Sequence, residues 1–163
     1  MEDEFEAELI ASLPRLRRYA LSLCRRADVA DDLVQGAAER AIAARAGFDP
    51  GTSLQAWLFR ILRNLWIDQT RRARTRGEEL DVTETPEAAA HDGERTVEAV
   101  IALRETEAAL NSLPAEQREV MRLVCLEELS YAEAAVVLDV PRGTVMSRLA
   151  RGRVALAARL GIK

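Results

Sequence analysis

Apolar residues recur at three- and four-residue spacing through most of this 163-residue chain, and the places where the spacing fails divide it. Phe5, Leu9, Leu13, Leu16, Tyr19, Ala20 and Leu23 predict an amphipathic helix over 5–26, or two helices broken near Pro14. Asp28 precedes Val29 and Ala30 as a cap, and a helical pattern continues from Asp31 to Ala46. Gly36 is a weak point inside it, costing about 1 kcal/mol against Ala. Phe48-Asp49-Pro50-Gly51-Thr52-Ser53 is a loop by its turn chemistry, and Thr52 or Ser53 can cap the next helix. That helix is the longest, running from Leu54 to about Arg74. Leu54, Trp57, Leu58, Ile61, Leu62 and Leu65 form its apolar stripe, and Arg60, Arg63, Asn64, Asp68, Arg71 and Arg72 its polar face.

From Gly77 to about Thr96 no apolar face can be drawn, and the segment reads as a flexible linker. Helical spacing returns with Val97, Val100, Ile101, Leu103, Ala108 and Leu110 and stops around Leu113-Pro114. A further helix from Ala115 to Leu126 offers Val120, Met121, Val124 and Cys125 to a core. Ser130 followed three residues later by Glu133 is a capping box, so another helix starts near Tyr131. It is short, because Asp139, Val140 and Pro141 interrupt the apolar pattern of Ala134, Ala135 and Leu138. The last helix starts at about Arg142, with Val145, Leu149, Val154 and Leu156 inward and Arg148, Arg151 and Arg153 outward. Two helices across a tight turn, the second bearing Arg and no acid, describe a helix-turn-helix able to enter a DNA major groove.

The expected fold class is therefore all-α: two small helical domains, 1–76 and 97–163, joined by a flexible acidic linker over 77–96. Each is near the small end for an independent core.

Charge changes this picture more than composition does. The net charge of −4 is unusual for a DNA binder until it is divided along the chain. Residues 60–76 hold six Arg against Asp68, a balance of +5; residues 77–107 hold ten acids against two Arg, or −8; residues 142–163 stand at +6 with no acid. Two basic segments flanking an acidic one imply two contacts with a polyanion. Cys24 and Cys125 fall within apolar patterns and read as small buried side chains. His91 is the one histidine, and no Cys-x-x-Cys pair occurs. Spacing therefore assembles no metal site, and no disulfide or other cofactor is expected. Met1 is followed by an acidic run rather than a leader, and no apolar run reaches the length of a membrane span, so a cytoplasmic protein without membrane insertion is expected. No catalytic constellation or phosphate loop is present, which argues against an enzyme.

Three stretches together resemble the extracytoplasmic-function (ECF) sigma factors of bacterial RNA polymerase. Asp31-Asp32-Leu33-Val34-Gln35 with Arg40-Ala41 resembles the helix that in the family docks on the clamp of the largest polymerase subunit. Phe48-Asp49, then Trp57-Leu58-Phe59-Arg60-Ile61 and Arg63-Asn64, resemble the segment that recognises and melts the promoter's −10 element. Leu113-Pro114, Gln117-Arg118, Leu129-Ser130-Tyr131 and Gly143-Thr144-Val145 with Ser147-Arg148-Leu149 resemble the domain that reads the −35 element. Gly36 stands where an acid is frequent, Met146 where Arg or Lys is frequent, and Gly152 where Ala is usual. Similarity is greatest to the general-stress group of alphaproteobacteria.

The resemblance implies a region 2-like domain, a region 4-like domain and three sets of contacts. Asp31, Asp32, Leu33, Gln35 and Arg40 would bind polymerase. Phe48, Asp49, Thr52, Ser53, Arg60, Arg63 and Asn64 would serve the −10 element, with loop and helix start forming a pocket for an extruded base. Arg142, Thr144, Ser147, Arg148, Arg151 and Arg153 would serve the −35 element, Arg148 or Arg151 donating to guanine edges or phosphates. The implied partners are core RNA polymerase, promoter DNA and an anti-sigma factor, the free protein being a monomer. Two other classes compete: a simple helix-turn-helix regulator, which would need a ligand or receiver domain, and a sigma-like decoy, which would lose the Arg clusters.

Overall fold

A computed structural model of the chain describes residues 2–78 and 96–162. Among these the regular structure is helical throughout, and the chain divides into two compact units between residues 90 and 91. Most of the expected linker, residues 79–95 with His91, lies outside the described residues.

The first unit is three helices: α1 (Glu2–Cys24), α2 (Ala27–Ala43) and α3 (Leu54–Thr75). Each packs on the other two. Helix α1 continues through Pro14 instead of breaking. Leu9 on one side of the proline and Leu16, Tyr19 and Ala20 on the other enter the same core, so packing offsets the lost hydrogen bond. Helix α2 starts earlier than its sequence suggests. Asp28 does not cap it but sits in its first turn, where the Arg26 guanidinium, 2.9 Å away, holds the carboxyl below its usual range. The core is Leu16, Tyr19, Leu33, Leu58, Phe59 and Leu62, all with no more than 1% exposure. Phe59 stacks on Tyr19 at 4.9 Å between ring centroids, with the Arg15 guanidinium 5.9 Å from its ring. The apolar stripe read from sequence omits Phe59, because it lies one residue outside the Leu54–Leu58–Ile61 spacing.

A Cβ at Gly36 would lie 3.4 Å from Leu65 Cδ1, an ordinary contact. Gly36→Ala is therefore expected to stabilise this unit by about 0.5–1 kcal/mol through helix propensity, visible as a raised midpoint in chemical denaturation.

The second unit contains α4 (Val97–Asn111), α5 (Ala115–Met121), α6 (Tyr131–Leu138) and α7 (Arg142–Leu160). Two sequence expectations change here. Val97, Ile101 and Leu103 are exposed, and only Leu110 of α4 is buried. The C-terminal part of α4 is pinned by Arg122, which donates to Glu107 Oε1 at 2.6 Å and Asn111 Oδ1 at 3.0 Å. In addition, α5 does not run on regularly to Leu126. Residues 122–126 wind as a π-turn, closed by Glu127 N–H donating to Arg122 O at 2.9 Å. The wider turn shifts the helical phase, so Leu123 stays buried while Cys125 and Leu126 face out. Cys24 is buried as expected, and burial pushes its thiol pKa up. In Ellman titration of the native protein, one thiol, Cys125, should react readily and the second only on unfolding.

Candidate promoter and polymerase interfaces

The helix-turn-helix is built by local chemistry. Ser130 Oγ accepts from Glu133 N–H at 3.1 Å and Glu133 Oε1 accepts from Ser130 N–H at 3.1 Å, which starts α6. Asp139 ends it in the left-handed region, φ 54° and ψ 50°, a conformation a short polar residue tolerates. Pro141, extended at φ −62°, then opens α7. Val145, Leu149 and Gly152 face inward at four- and three-residue spacing. Val154, expected inward, is 72% exposed, because it falls two residues after Gly152 and thus on the opposite side.

Gly152 lets α7 approach α5 closely. A Cβ there would meet Met121 Cγ at 3.0 Å and its sulfur at 3.2 Å, so the Met121 thioether occupies the space an alanine would use. The residue that departs from the family pattern is matched by its neighbour.

The −35 candidates divide by what they touch. Arg142, Ser147, Arg151 and Arg153 are exposed, and Thr144 is half-buried. Ser147 Oγ donates to Thr144 O at 3.2 Å, holding that hydroxyl to its own helix. Arg148 is not an outer residue. Its side chain is 22% exposed and lies 3.6 Å from Glu116 Oε1. Sequence reasoning found no acid on α7 and could not foresee one brought from α5. Because Glu116 neutralises Arg148 and is itself exposed, Glu116→Gln is expected to tighten binding of a promoter duplex if Arg148 meets the −35 element. A pair whose acid is exposed, worth about 0.2–1 kcal/mol, sets a gain of up to about fivefold, equal across −35 sequences, when the polymerase complex is titrated with promoter duplex.

The −10 candidates are held by one another. Phe48 packs on Trp57 at 5.1 Å and on Phe5 at 6.3 Å between ring centroids. Asp49 Oδ1 accepts from Gly51 N–H at 2.9 Å, and Thr52 Oγ1 donates to Asp49 O at 2.7 Å. Ser53 Oγ accepts from Ala56 N–H at 3.2 Å and caps α3. These contacts give the loop one shape and leave its backbone tip, Pro50-Gly51, exposed. On α3, Arg60 and Asn64 are exposed and one turn apart, and Arg63 is half-buried.

On α2, Asp31, Asp32, Gln35 and Arg40 are exposed. Asp31 accepts from Arg17 Nε at 3.0 Å, and Gln35 Nε2 donates to Glu39 Oε1 at 3.2 Å. Leu33 has to be removed from the contact set. It has no exposed surface and belongs to the core, because it points to the opposite side of the helix from Asp31 and Gln35. No group of metal-binding side chains occurs among the described residues, and no described helix is long and apolar enough to cross a membrane.

A helical unit with an acid-lined helix and a polar loop, and a second unit with an Arg-bearing helix-turn-helix, define a two-part DNA-binding transcription factor. The Sigma-70 region 2 model matches residues 9–76, and the Sigma-70 region 4 model matches residues 103–156. The ECF RNA polymerase sigma factor EcfG of Rhodopseudomonas palustris is 39% identical over 160 residues, 98% of this chain and 87% of that protein. ECF RNA polymerase sigma factor SigC of Mycobacterium tuberculosis is 39% identical over 129 residues, 79% of this chain and 69% of that one. Among solved structures, the sigma factor RpoE of Bartonella quintana, in complex with the anti-sigma factor NepR, superposes with a TM-score of 0.80 at 36% identity, covering 98% of each chain. The chain belongs to the ECF sigma factors of bacterial RNA polymerase.

Proposed function

We propose that the chain binds core RNA polymerase and directs promoter-specific initiation in a stress response, under the control of an anti-sigma factor. In this reading residues 1–76 hold the polymerase contact and the −10 site, residues 97–163 the −35 site, and residues 77–96 connect them. The observation that carries it is the pairing of two surfaces in separate units: the exposed Arg60 and Asn64 beside a self-braced loop, and the exposed Arg142, Arg151 and Arg153 of α7. Asp31, Asp32, Gln35 and Arg40 form the polymerase contact. The fixed Phe48–Ser53 loop supplies a pocket for an extruded −10 base, and Asn64 offers its amide to an unstacked base edge. Duplex reading at −35 falls to α7 in the major groove.

Control by an anti-sigma factor is supported by relatives: RpoE was solved with NepR, and CnrH, 27% identical with a TM-score of 0.71, with the cytosolic domain of CnrY. The test is transcription in vitro with purified core polymerase and a genomic promoter library, without an ATP-hydrolysing activator. Specific transcripts that depend on this chain are expected. Stable site-specific DNA binding by the free protein, unaffected by core polymerase, would support a simple regulator instead.

A further inference from the structure

The first turns of α1, to which neither the −10 nor the polymerase contacts give a role, touch the segment that carries the −10 loop before, within and after the loop. Glu6 Oε1 lies 3.8 Å from Arg45 Nη1 ahead of it. Ser12 Oγ lies 3.1 Å from Gln55 Oε1 just beyond it. Between these contacts the Phe5 ring meets both Phe48 and Trp57, at 6.3 and 6.4 Å between centroids, and closes a triangle with the 5.1 Å Phe48–Trp57 pair. At 100° per residue, Phe5, Leu9 and Ser12 fall within an arc of about 60° on α1. That side of the helix leads from the core, where Leu9 and Ser12 are buried, out to the loop.

We infer that Phe5 is a positioning residue for −10 recognition, seating from α1 the loop that takes up the extruded base. This rests on the sigma-factor reading and gives α1 a part in it. Gly51 N–H to Asp49 Oδ1 and Thr52 Oγ1 to Asp49 O are bonds within the loop, so they set its shape and not its place. At the ends, Phe48 N–H donates to Arg45 O at 3.1 Å and Ser53 caps α3, which ties the loop to its own neighbours in the chain. Phe5 supplies the hold from a third helix. A ring cluster under a loop can be a satellite of the core with no further consequence. Here the cluster stands at the edge of the unit: Phe5, Phe48 and Trp57 are each half-buried, whereas Leu58 and Phe59 have no exposed surface. Asp49 follows Phe48 directly, and the loop is braced internally, so a tilt of the Phe48 ring carries Asp49, Pro50-Gly51 and Thr52 as one piece. A binding pocket works only where its groups are held to within about 0.5 Å. The exposed Glu6–Arg45 pair adds little to that hold, and the rings carry most of it.

The experiment binds the full chain, wild type or Phe5→Ala, to core polymerase and follows promoter opening by permanganate footprinting. The templates are one promoter taken from the transcription assay and versions of it with each −10 base replaced in turn. Each ring pair is worth roughly 2- to 12-fold in the equilibrium that seats the loop, so losing two should lower opening of the unaltered promoter by on the order of tenfold. Where the captured base is replaced, wild type has already lost that contact, and Phe5→Ala should change opening by less than about twofold, the scatter expected of independent effects. Discrimination at one −10 position therefore falls, while −35 preference is unchanged. Phe5→Leu keeps the apolar bulk without the ring and should lose discrimination in the same way, with melting curves recorded for both variants. A folded variant that keeps wild-type −10 discrimination overturns the assignment. So does a loss of equal size on every template, which is what reduced stability alone would give. Wild type that gives specific transcripts yet discriminates no −10 base would overturn the pocket, and wild type that gives no specific transcript would overturn the sigma-factor reading beneath it.

Discussion

Phe59→Ala is expected to remove about 3–5 kcal/mol of stability, most or all of what a unit of this size holds. Phe59 has no exposed surface, and its ring lies stacked on Tyr19 at 4.9 Å. Truncation would leave a cavity between α1 and α3 and remove a ring pair worth about 0.5–1.5 kcal/mol beyond the buried area. Urea denaturation followed by far-ultraviolet dichroism should show the loss directly. The residue sits within Trp57-Leu58-Phe59-Arg60-Ile61, the stretch whose resemblance points to the −10 element, so a loss of transcription alone would invite the wrong reading. Arg60→Ala, one position along and exposed, separates the two. It should change stability by less than about 0.5 kcal/mol while weakening promoter opening in permanganate footprints. If Phe59→Ala folds as tightly as wild type, the packing described for this unit is wrong.

The second large effect is expected at Arg151. It is exposed on α7, its side chain makes no hydrogen bond or ion pair among the described residues, and it lies one turn from Ser147. Arg148, by contrast, has its guanidinium 3.6 Å from Glu116 and most of its side chain covered. A free Arg near the middle of a recognition helix can donate to both acceptors of a guanine edge, whereas one held at the flank by an acid is placed for a phosphate. Arg151→Ala should cost about 1–3 kcal/mol, roughly 5- to 150-fold in promoter affinity, and relax discrimination at one −35 base pair. Arg148→Ala should weaken all sequences alike. Binding of the polymerase complex to a set of single-base −35 variants reads both outcomes. A uniform loss for Arg151→Ala would move that residue to the backbone and leave base reading to its neighbours on α7.

Much of the candidate site is legible from short-range rules. The capping box at Ser130 and Glu133, the stop at Asp139 to Pro141 and the acid-free helix beyond it all follow from interactions within a few residues, and the structure has each in place. Burial of individual side chains was harder to read. Phe59 is off the expected stripe yet fully buried, because two neighbouring helices, α1 and α2, enclose more than a narrow face of α3. Val97, Ile101 and Leu103 have the spacing of a core face and stay exposed, because α4 is packed at its C-terminal end only. Cys125 fails for a different reason: a π-turn changes the phase on which any periodic reading depends.

By itself the sequence determined the all-α class, the helix-turn-helix, the division of charge into two basic segments and an acidic one, and the polar and basic residues that stand as candidates for contact with DNA. Those properties arise from periodicity, caps and composition, which act within a turn or two of chain. Tertiary structure alone decided which of those residues are free. It set Glu116 against Arg148, placed Leu33 in the core, braced Phe48 against Phe5 and Trp57, and seated Met121 over Gly152. Each of these joins positions on different elements, and no spacing along the chain encodes the crossing of two helices. Contacts across elements depend on how the packed faces fit, which is settled only when the core closes.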